Sequence, residues 1–294
     1  YHIYSLVVCV FAGYSRGALN VLITNPRDTS AFIEEMKKWP FTFFNGVNTL
    51  YESLLNHPEI KNVNFDSMKL SGCGGMATLQ STAERWYELT GKVLLEGYGL
   101  SETSPGVTVS PAYTEKFSGT VGLPIPNTEI SIRDDDGNEV ERGQPGEICI
   151  KGPQVMQGYW RNEEATAEAI GEDGFFKTGD IGTMDDEGFL SITDRKKDMI
   201  IVSGFNVYPN EIEDVVCMHP NIVEAASIGV PDEKTGEAVK LFVVLGGEQK
   251  LAKEEIIEYC RQNLAAYKVP KQIEFMNELP KTTVGKILRR ELRE

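Results

Sequence analysis

A glycine-rich segment followed by an acidic residue is the first feature of this sequence that could do chemistry. Gly72-x-Gly74-x-x-Ala77 lies between a predicted strand and a predicted helix, and Glu96 ends the next predicted strand. This spacing imitates the fingerprint of dinucleotide-binding proteins, in which glycines let the backbone approach a phosphate. The same turn can be purely structural. The segment alone therefore leaves a nicotinamide-dependent oxidoreductase and a structural turn equally open.

A second motif resembles the nucleophile elbow of hydrolases. Residues 13–17 read GYSRG, which matches G-x-S-x-G, and they follow an apolar segment that predicts a strand. The elbow requires a helix after its serine, whereas residues 21–24 have the composition of another strand. We therefore interpret the motif as a turn between strands. The three histidines are widely spaced and give no zinc-binding pattern.

The composition is that of a globular protein with about two domains. The chain has 294 residues, 44 of them acidic and 29 basic, for a net charge of -15. This charge repels nucleic acid, so we expect no nucleic-acid partner. Five cysteines without a C-x-x-C pair indicate reduced thiols in a cytosolic protein. The longest apolar stretch, residues 3–13, is too short to span a bilayer, and a first residue other than Met predicts a chain that begins inside a larger protein.

Three regions with different predicted secondary structure must position these residues. Helices are predicted at residues 29–38, 48–56 and 78–89, with strands at 68–71 and 93–95. Short alternating stretches between residues 119 and 193 predict a small antiparallel β section. A second α+β domain then has strands at 199–203, 223–230 and 238–245, with helices at 209–218 and 253–264.

Five further segments occur in an order that is typical of one enzyme superfamily. They read YGLSET at residues 98–103, GEICIKGP at 146–153 running to GYW at 158–160, TGD at 178–180, DRKKD at 194–198 and PKTTVGK at 280–286. In this order they resemble the adenylate-forming enzymes, and among these the acyl-CoA synthetases. Two more segments, GVNTL at 46–50 and SGFNVYPNE at 203–211, resemble the bacterial long-chain fatty-acid CoA ligases. The resemblance covers essentially the whole chain.

The resemblance implies a reaction of a fatty acid with ATP and CoA through an acyl-adenylate. Glu102 is implied as a catalytic residue and Mg²⁺ ligand, with the Ser101 hydroxyl beside it, because Mg²⁺ prefers oxygen ligands and neutralises phosphates. Asp180 would accept hydrogen bonds from two ribose hydroxyls, and Tyr98 would stack on adenine. The other residues implied at the nucleotide are Gly74, Gly75, Met76, Glu96, Gly97, Gly99, Arg195 and Lys197.

Lys286 is the catalytic residue that the resemblance implies most directly. The lysine ammonium is a compact charge, and a flexible preceding segment would let it contact both the attacking carboxylate and the α-phosphate. There it would stabilise charge that develops in the transition state. Outside its motif Lys286 would be an ordinary exposed lysine. The resemblance also implies His2 as a catalytic residue, Lys197 as the hinge, and Gly204 on the CoA side.

The sequence departs from the family at the phosphate loop. No segment between Tyr1 and Glu294 resembles the Ser/Thr/Gly-rich loop that ends in Pro-Lys-Gly, and Ile201 stands where many relatives have a lysine. We therefore expect an α/β chain that is the C-terminal portion of a ligase and does not turn over alone. Residues 1–193 would complete the large α/β and β-barrel-like adenylation domain, 194–197 would form the hinge, and 198–294 would form the small α+β lid.

Two rival functions and a location complete these expectations. One rival is a non-catalytic adenylate-binding fragment, and the other is the oxidoreductase suggested by the glycine-rich segment. We expect a cytoplasmic protein whose partners are fatty acid, ATP and CoA. Peripheral association with the inner face of the membrane and the oligomeric state are left open.

Overall fold

The chain divides into two compact units in the computed structural model, which describes residues 2–246, 251–282 and 286–293. The first unit comprises Tyr1–Thr178 with Gly182–Ile192, and the second comprises Gly179–Ile181 with Thr193–Glu294. In the described part of the chain, the helices all lack the combination of length and apolar character that crossing a membrane requires.

The first unit is built on two sheets. In the five-stranded sheet the strands follow the order β1-β2-β3-β4-β5, with β1, β2 and β3 parallel and the last two antiparallel. The other sheet has the order β6-β7-β8-β9 and begins with an antiparallel pair, as the sequence predicted for this region. The helices are α1 (Ile3–Ser5), α2 (Ala12–Ser15), α3 (Thr29–Lys38), α4 (Asn48–Asn56), α5 (Gln80–Thr90) and α6 (Glu163–Ala169). The strands are β1 (Phe43–Gly46), β2 (Leu70–Gly74), β3 (Leu94–Gly99), β4 (Gly106–Val109), β5 (Leu123–Pro124), β6 (Glu129–Arg133), β7 (Gly146–Lys151), β8 (Phe176–Met184) and β9 (Leu190–Arg195).

The second unit has the α+β architecture that the sequence predicted for the C-terminal part of the chain. Its sheet has the order β11-β10-β13-β12, and β14 adds a parallel neighbour to β13. Its strands are β10 (Ile200–Val202), β11 (Phe205–Val207), β12 (Ile222–Asp232), β13 (Gly236–Leu245) and β14 (Gln272–Phe275), and its helices are α7 (Pro209–Cys217) and α8 (Lys253–Asn263). The short strands β11 and β14 were not predicted, because runs of three or four residues carry little periodicity.

Local signals explain why the long helices were predicted correctly. The Asp28 carboxylate accepts a hydrogen bond from the Ala31 amide at 3.0 Å, which caps α3. Helix α5 ends at Gly91, whose φ of 66° is the left-handed conformation that terminates many helices. These caps lie within a few residues of the apolar pattern, so the sequence alone locates them.

The predicted strand at residues 3–13 is wrong, because this segment is helical. It comprises α1, a π-helical turn at Leu6–Phe11, and α2. A short apolar run rich in Val fits a strand or a buried helix equally well, and periodicity cannot separate the two. The strand expected at residues 21–24 is also absent. Ser15 lies at the end of α2 and donates a hydrogen bond to the Ala12 carbonyl at 2.9 Å, so the nucleophile-elbow geometry is absent as well.

The glycine-rich segment differs from a dinucleotide fingerprint. Gly72 and Gly74 lie inside β2 rather than in a turn, and α5 begins only at Gln80. The fingerprint needs its glycines in the turn that opens the helix, so that phosphate meets the helix N-terminus. The oxidoreductase interpretation therefore loses its structural basis.

Aromatic packing forms the core of the first unit. Trp86 of α5 is fully buried, lies 4.7 Å from Tyr51 and 5.6 Å from Phe44 between ring centroids, and donates a hydrogen bond to the Ser71 hydroxyl at 3.0 Å. The hydroxyl in turn donates to the Val93 carbonyl. This indole therefore joins α5 to both α4 and the parallel sheet.

Replacing Trp86 by Ala should destabilise the chain by about 3 to 5 kcal/mol, the usual cost of removing a large aromatic side chain from a core. Trp160 is 86% exposed and serves as the matched control, and its replacement by Ala should stay within about 0.5 kcal/mol. Urea unfolding followed by circular dichroism measures both. Equal losses for the two variants would contradict this description of the core.

Candidate functional site

The carboxyl ends of two parallel strands bring the predicted glycines together. Gly74 of β2 pairs with Gly97 of β3, and Gly75 and Met76 follow directly. A Cβ on Gly74 would lie 2.9 Å from the Gly97 carbonyl oxygen and 3.0 Å from the ring of Tyr4. No larger residue fits between these groups without displacing one of them. At this edge of the sheet Gly74 is buried, whereas Gly75, Met76 and Gly97 are partly exposed.

Tyr4 is a residue of this edge that the sequence did not single out. Its hydroxyl donates a hydrogen bond to the Asn45 side-chain oxygen at 2.7 Å, and its ring covers Gly74. Burial raises the pKa of Tyr4 well above its usual value, so the hydroxyl stays protonated. His2, two residues earlier, is exposed and accepts a hydrogen bond from the Tyr4 amide through Nδ1 at 3.3 Å. The helical segment therefore begins next to the glycine edge, and a catalytic role of His2 stays a prediction.

Strand β3 buries two of the predicted site residues. Glu96 and Tyr98 point to the same side, and both are less than 10% exposed. Tyr98 packs in an apolar cluster with Val107 and Ile148. Gly99 is required by a close approach, since a Cβ there would collide with the Pro105 carbonyl. Stacking of Tyr98 on adenine would use the part of the ring that this cluster leaves free, and it stays a prediction.

The turn after β3 presents Ser101 and Glu102. A 3₁₀ turn at Ser101–Thr103 is held by fully buried Thr103, whose hydroxyl accepts from the Leu100 amide at 2.9 Å. The Glu102 carboxylate accepts a hydrogen bond from the Tyr159 hydroxyl at 3.1 Å, and the Glu102 carbonyl accepts from the Met156 amide at 2.8 Å. Burial, and then the bond to Glu102, raise the pKa of Tyr159.

Glu102 suits a magnesium ion that phosphates help to bind. Mg²⁺ usually takes one or two carboxylates, several waters and the phosphates of the substrate. Glu102 is half-buried and supplies one such carboxylate. Across the described ranges, no three His, Cys, Asp or Glu side chains gather as a metal site would require. A magnesium ion at Glu102 would take its remaining ligands from water and from a bound phosphate. Tyr159, which steadies this carboxylate, belongs to the GYW segment and had no predicted role.

Three charged groups from distant segments meet in the second unit. Asp180 is only 5% exposed and forms an ion pair with Arg195, whose Nε lies 3.2 Å from Oδ1. Burial lowers the pKa of Lys286, the charge of Arg195 lowers it further, and the charge of Asp180 opposes them. Asp180 and Arg195 are thus in direct contact, and their charges act on Lys286 in opposite directions. The sequence predicted all three residues from separate motifs, and the fold brings them together.

The remaining predicted residues lie on the surface of the second unit. Lys197 is exposed in a 3₁₀ turn at Lys196–Asp198, between β9 and β10. Gly204 lies in the exposed turn that joins β10 to β11. Beside it the ring of Phe205 stacks on Tyr267, with centroids 4.9 Å apart and an angle of 25° between planes. This aromatic pair was not predicted, because the two residues are far apart in the sequence.

Comparison with known proteins agrees with this fold. The family model described as AMP-binding enzyme matches residues 1–160, and the model of the AMP-binding enzyme C-terminal domain matches residues 211–286. The chain belongs to the AMP-binding enzyme family. Adenylate-forming acyl-CoA synthetases are the members that it resembles.

Individual relatives and solved structures show how similar this chain is to particular members of the family. The chain is 55% identical over all of its 294 residues to a long-chain-fatty-acid–CoA ligase of Escherichia coli O6:H1, and spans 52% of that protein. Among solved structures, o-succinylbenzoate CoA synthetase from Bacillus subtilis in complex with its acyl-adenylate intermediate gives a TM-score of 0.85 at 31% identity, over 100% of this chain and 59% of that one. ATP-bound MatB from Rhodopseudomonas palustris gives 0.84 at 36% identity, over 90% and 52%. The chain thus spans about half the length of the curated relatives it matches.

Replacing Asp180 by Ala should weaken binding of a non-hydrolysable acyl-adenylate mimic by about 1.5 to 3 kcal/mol, which is typical of hydrogen bonds to a charged group. Calorimetry with the purified chain measures the affinity. Asp186 is an exposed carboxylate six residues later in the chain, and its replacement by Ala is the control that should change nothing. Unchanged affinity in a folded Asp180→Ala variant would contradict the ribose role.

Proposed function

We propose that this chain is the C-terminal part of a long-chain fatty-acid CoA ligase. In the first step, a fatty-acid carboxylate oxygen attacks the α-phosphorus of ATP, and the bond to pyrophosphate breaks. In the second step, the CoA thiol loses its proton and attacks the acyl carbon, and AMP leaves. The level of identity to such ligases along the entire chain supports this substrate class.

The convergence of Asp180, Arg195 and Lys286 is the observation that carries the proposal. Asp180 is a nearly buried carboxylate that pairs with Arg195, and its charge also acts on Lys286, a second cation whose pKa is lowered. This arrangement suits a ligand that has ribose hydroxyls and a phosphate. Asp180 would accept from the hydroxyls, and Arg195 would lie near the ribose and phosphate. The partly desolvated Lys286 ammonium would interact more strongly with the developing charge than it could in water.

The first unit carries other residues that the resemblance assigns to the nucleotide. Gly74, Gly75, Met76 and Gly97 would border the adenine at the carboxyl ends of β2 and β3, where Gly74 is buried and the other three are partly exposed. The Tyr98 ring would stack on it. Glu102 would hold Mg²⁺, which neutralises phosphate charge when it is bound. The Tyr159 hydroxyl would keep the Glu102 carboxylate in one orientation, because it occupies one of its oxygens.

CoA would approach the turn that contains Gly204. The stacked Phe205 and Tyr267 rings beside this turn are partly exposed and flat, and nucleotide bases stack well on such surfaces. This feature supports Gly204 on the CoA side. A non-catalytic adenylate-binding fragment remains the second candidate function, because the adenosine-binding groups do not require the phosphate loop.

The chain by itself should not turn over, whereas the full-length protein should. In this family a glycine-rich loop supplies donors to the β- and γ-phosphates, and loss of one preorganised donor costs about 10² to 10³ in rate. The measurement is pyrophosphate release with ATP, Mg²⁺ and palmitate. If the isolated chain released pyrophosphate about as fast as the full-length protein, the phosphate loop would not be needed. That result would contradict the proposal that a segment outside residues 1–294 binds the β- and γ-phosphates. Release by neither protein would favour the non-catalytic candidate.

Replacing Lys197 by Pro in the full-length protein should impair thioester formation more than adenylation. A hinge must change its backbone angles between the two half-reactions, and proline fixes φ near -65°. The two half-reactions are measured separately, with Lys197→Ala as the comparison, because alanine removes the side chain without fixing φ. Equal losses in both half-reactions for Lys197→Pro would contradict the hinge role.

A further inference from the structure

Two arginines that closely follow Lys286 are bound by buried carboxylates of the second unit. Arg289 Nη2 lies 2.7 Å from Glu213 Oε2 and 2.8 Å from the Asn210 side-chain oxygen, while its Nε donates to Glu213 Oε1 at 3.3 Å. Arg293 donates to Asp198 Oδ1 at 2.9 Å, and Arg289 Nη1 lies 3.8 Å from the other oxygen of Asp198. Two guanidinium groups thus compensate two buried carboxylates.

The same network reaches both ends of the predicted hinge at residues 194–197. Asp198 follows the hinge directly. On the other side, the Asn210 amide donates to the buried Asp194 carboxylate at 2.8 Å, and the Asn210 side chain donates to the Thr193 carbonyl at 3.3 Å. Asn210 therefore contacts Arg289 through its side-chain oxygen, and through its nitrogens it contacts Thr193 and Asp194 at the start of the hinge.

Backbone pairing transmits this anchorage to Lys286. Lys281 and Ile287 form an antiparallel bridge, the Leu288 amide donates to the Pro280 carbonyl at 2.8 Å, and the Thr282 amide donates to the Lys286 carbonyl at the same distance. Buried Leu279 and Leu292 fix the two flanks of this segment in an apolar cluster. Lys286 is therefore held on an element whose far end is bound through Arg289.

Arginine suits this role better than lysine. Its planar fork can contact Glu213 twice while another of its hydrogens points to Asn210, whereas an ammonium presents a single charge centre. Glu213 is itself fixed, because its Oε1 accepts from the Ser227 amide at 2.7 Å. A buried carboxylate that loses its cation is strongly destabilised, so the segment strongly favours this one position.

We propose that Arg289, anchored by Glu213, Asp198 and Asn210, is a positioning residue that sets the place of the Lys286 ammonium for adenylation. The inference rests on the proposed function, because it concerns the rate of the first half-reaction. Arg289 does not touch the reacting atoms in this assignment and acts only through Lys286.

The test is a double-mutant cycle in the full-length protein, measured as single-turnover formation of palmitoyl-adenylate. Arg289→Gln should lower the rate by about 10²-fold, the usual cost of a misplaced catalytic group, while the KM for ATP is unchanged. In the Lys286→Ala background, Arg289→Gln should have no further effect, because residues that act as a unit are not additive. Arg290 is the neighbouring exposed arginine, and Arg290→Gln is the matched control that should retain the parent rate.

Two milder variants keep the test decisive if Arg289→Gln does not fold. Glu213→Gln removes one charge but keeps the volume, and Arg289→Lys keeps the charge but loses the fork; each should lower the rate only when Lys286 is present. The inference would be overturned if folded Arg289→Gln, or both milder variants, kept the full parent rate. It would also be overturned if the loss of rate were equal in the parent and in the Lys286→Ala background. A parent that forms no adenylate would overturn the proposed function as well, whereas an active parent with an additive cycle would overturn this inference alone.

Discussion

Burying a carboxylate in a protein requires a partner, and the second unit depends on how this requirement is met. Asp180, Asp194, Asp198 and Glu213 are all buried. Unpaired, each would cost several kcal/mol in desolvation. Arginines and backbone amides satisfy them, and burial still raises the pKa of Asp194 to about 6. Because these partners come from distant segments, pairing them fixes where those segments lie.

This constraint explains how a lysine in a short segment can have a defined position. Lys286 lies between Leu279 and Leu292 in the sequence, and both leucines pack in one apolar cluster. The guanidinium of Arg289 adds a fixed orientation, because a planar group between two fixed carboxylates has one good orientation. Partial burial then lowers the pKa of the Lys286 ammonium, which a phosphate would reverse.

Much of the fold could be predicted because its signals are local. The caps at Asp28 and Gly91, and the apolar spacing of α4, lie within single elements. The helix over residues 3–15 could not be predicted, since its apolar run has no distinguishing period and its partner, Asn45, is far away. Gly72 and Gly74 were assigned to a turn for a similar reason. A glycine required by a neighbouring strand cannot be told from a turn glycine in the sequence.

The candidate site was predicted by motif and not by geometry. Asp180, Arg195 and Lys286 each stood in a recognisable segment, but only the fold shows that they are neighbours. Tyr159 and Arg289 lay in or beside such segments without an assigned role, because a supporting hydrogen bond has no sequence pattern of its own. The residues that hold a site residue in place are thus the part that sequence reasoning misses most readily.

A crystal structure of the full-length protein with a non-hydrolysable palmitoyl-adenylate analogue would show directly whether Asp180 and Lys286 bind the adenylate. We expect ribose hydroxyls on the Asp180 carboxylate and the Lys286 ammonium within hydrogen-bonding distance of the bridging acyl or phosphate oxygens. An analogue bound elsewhere, or bound there with Asp180 still closed on Arg195 and no contact to the ribose, would contradict this expectation.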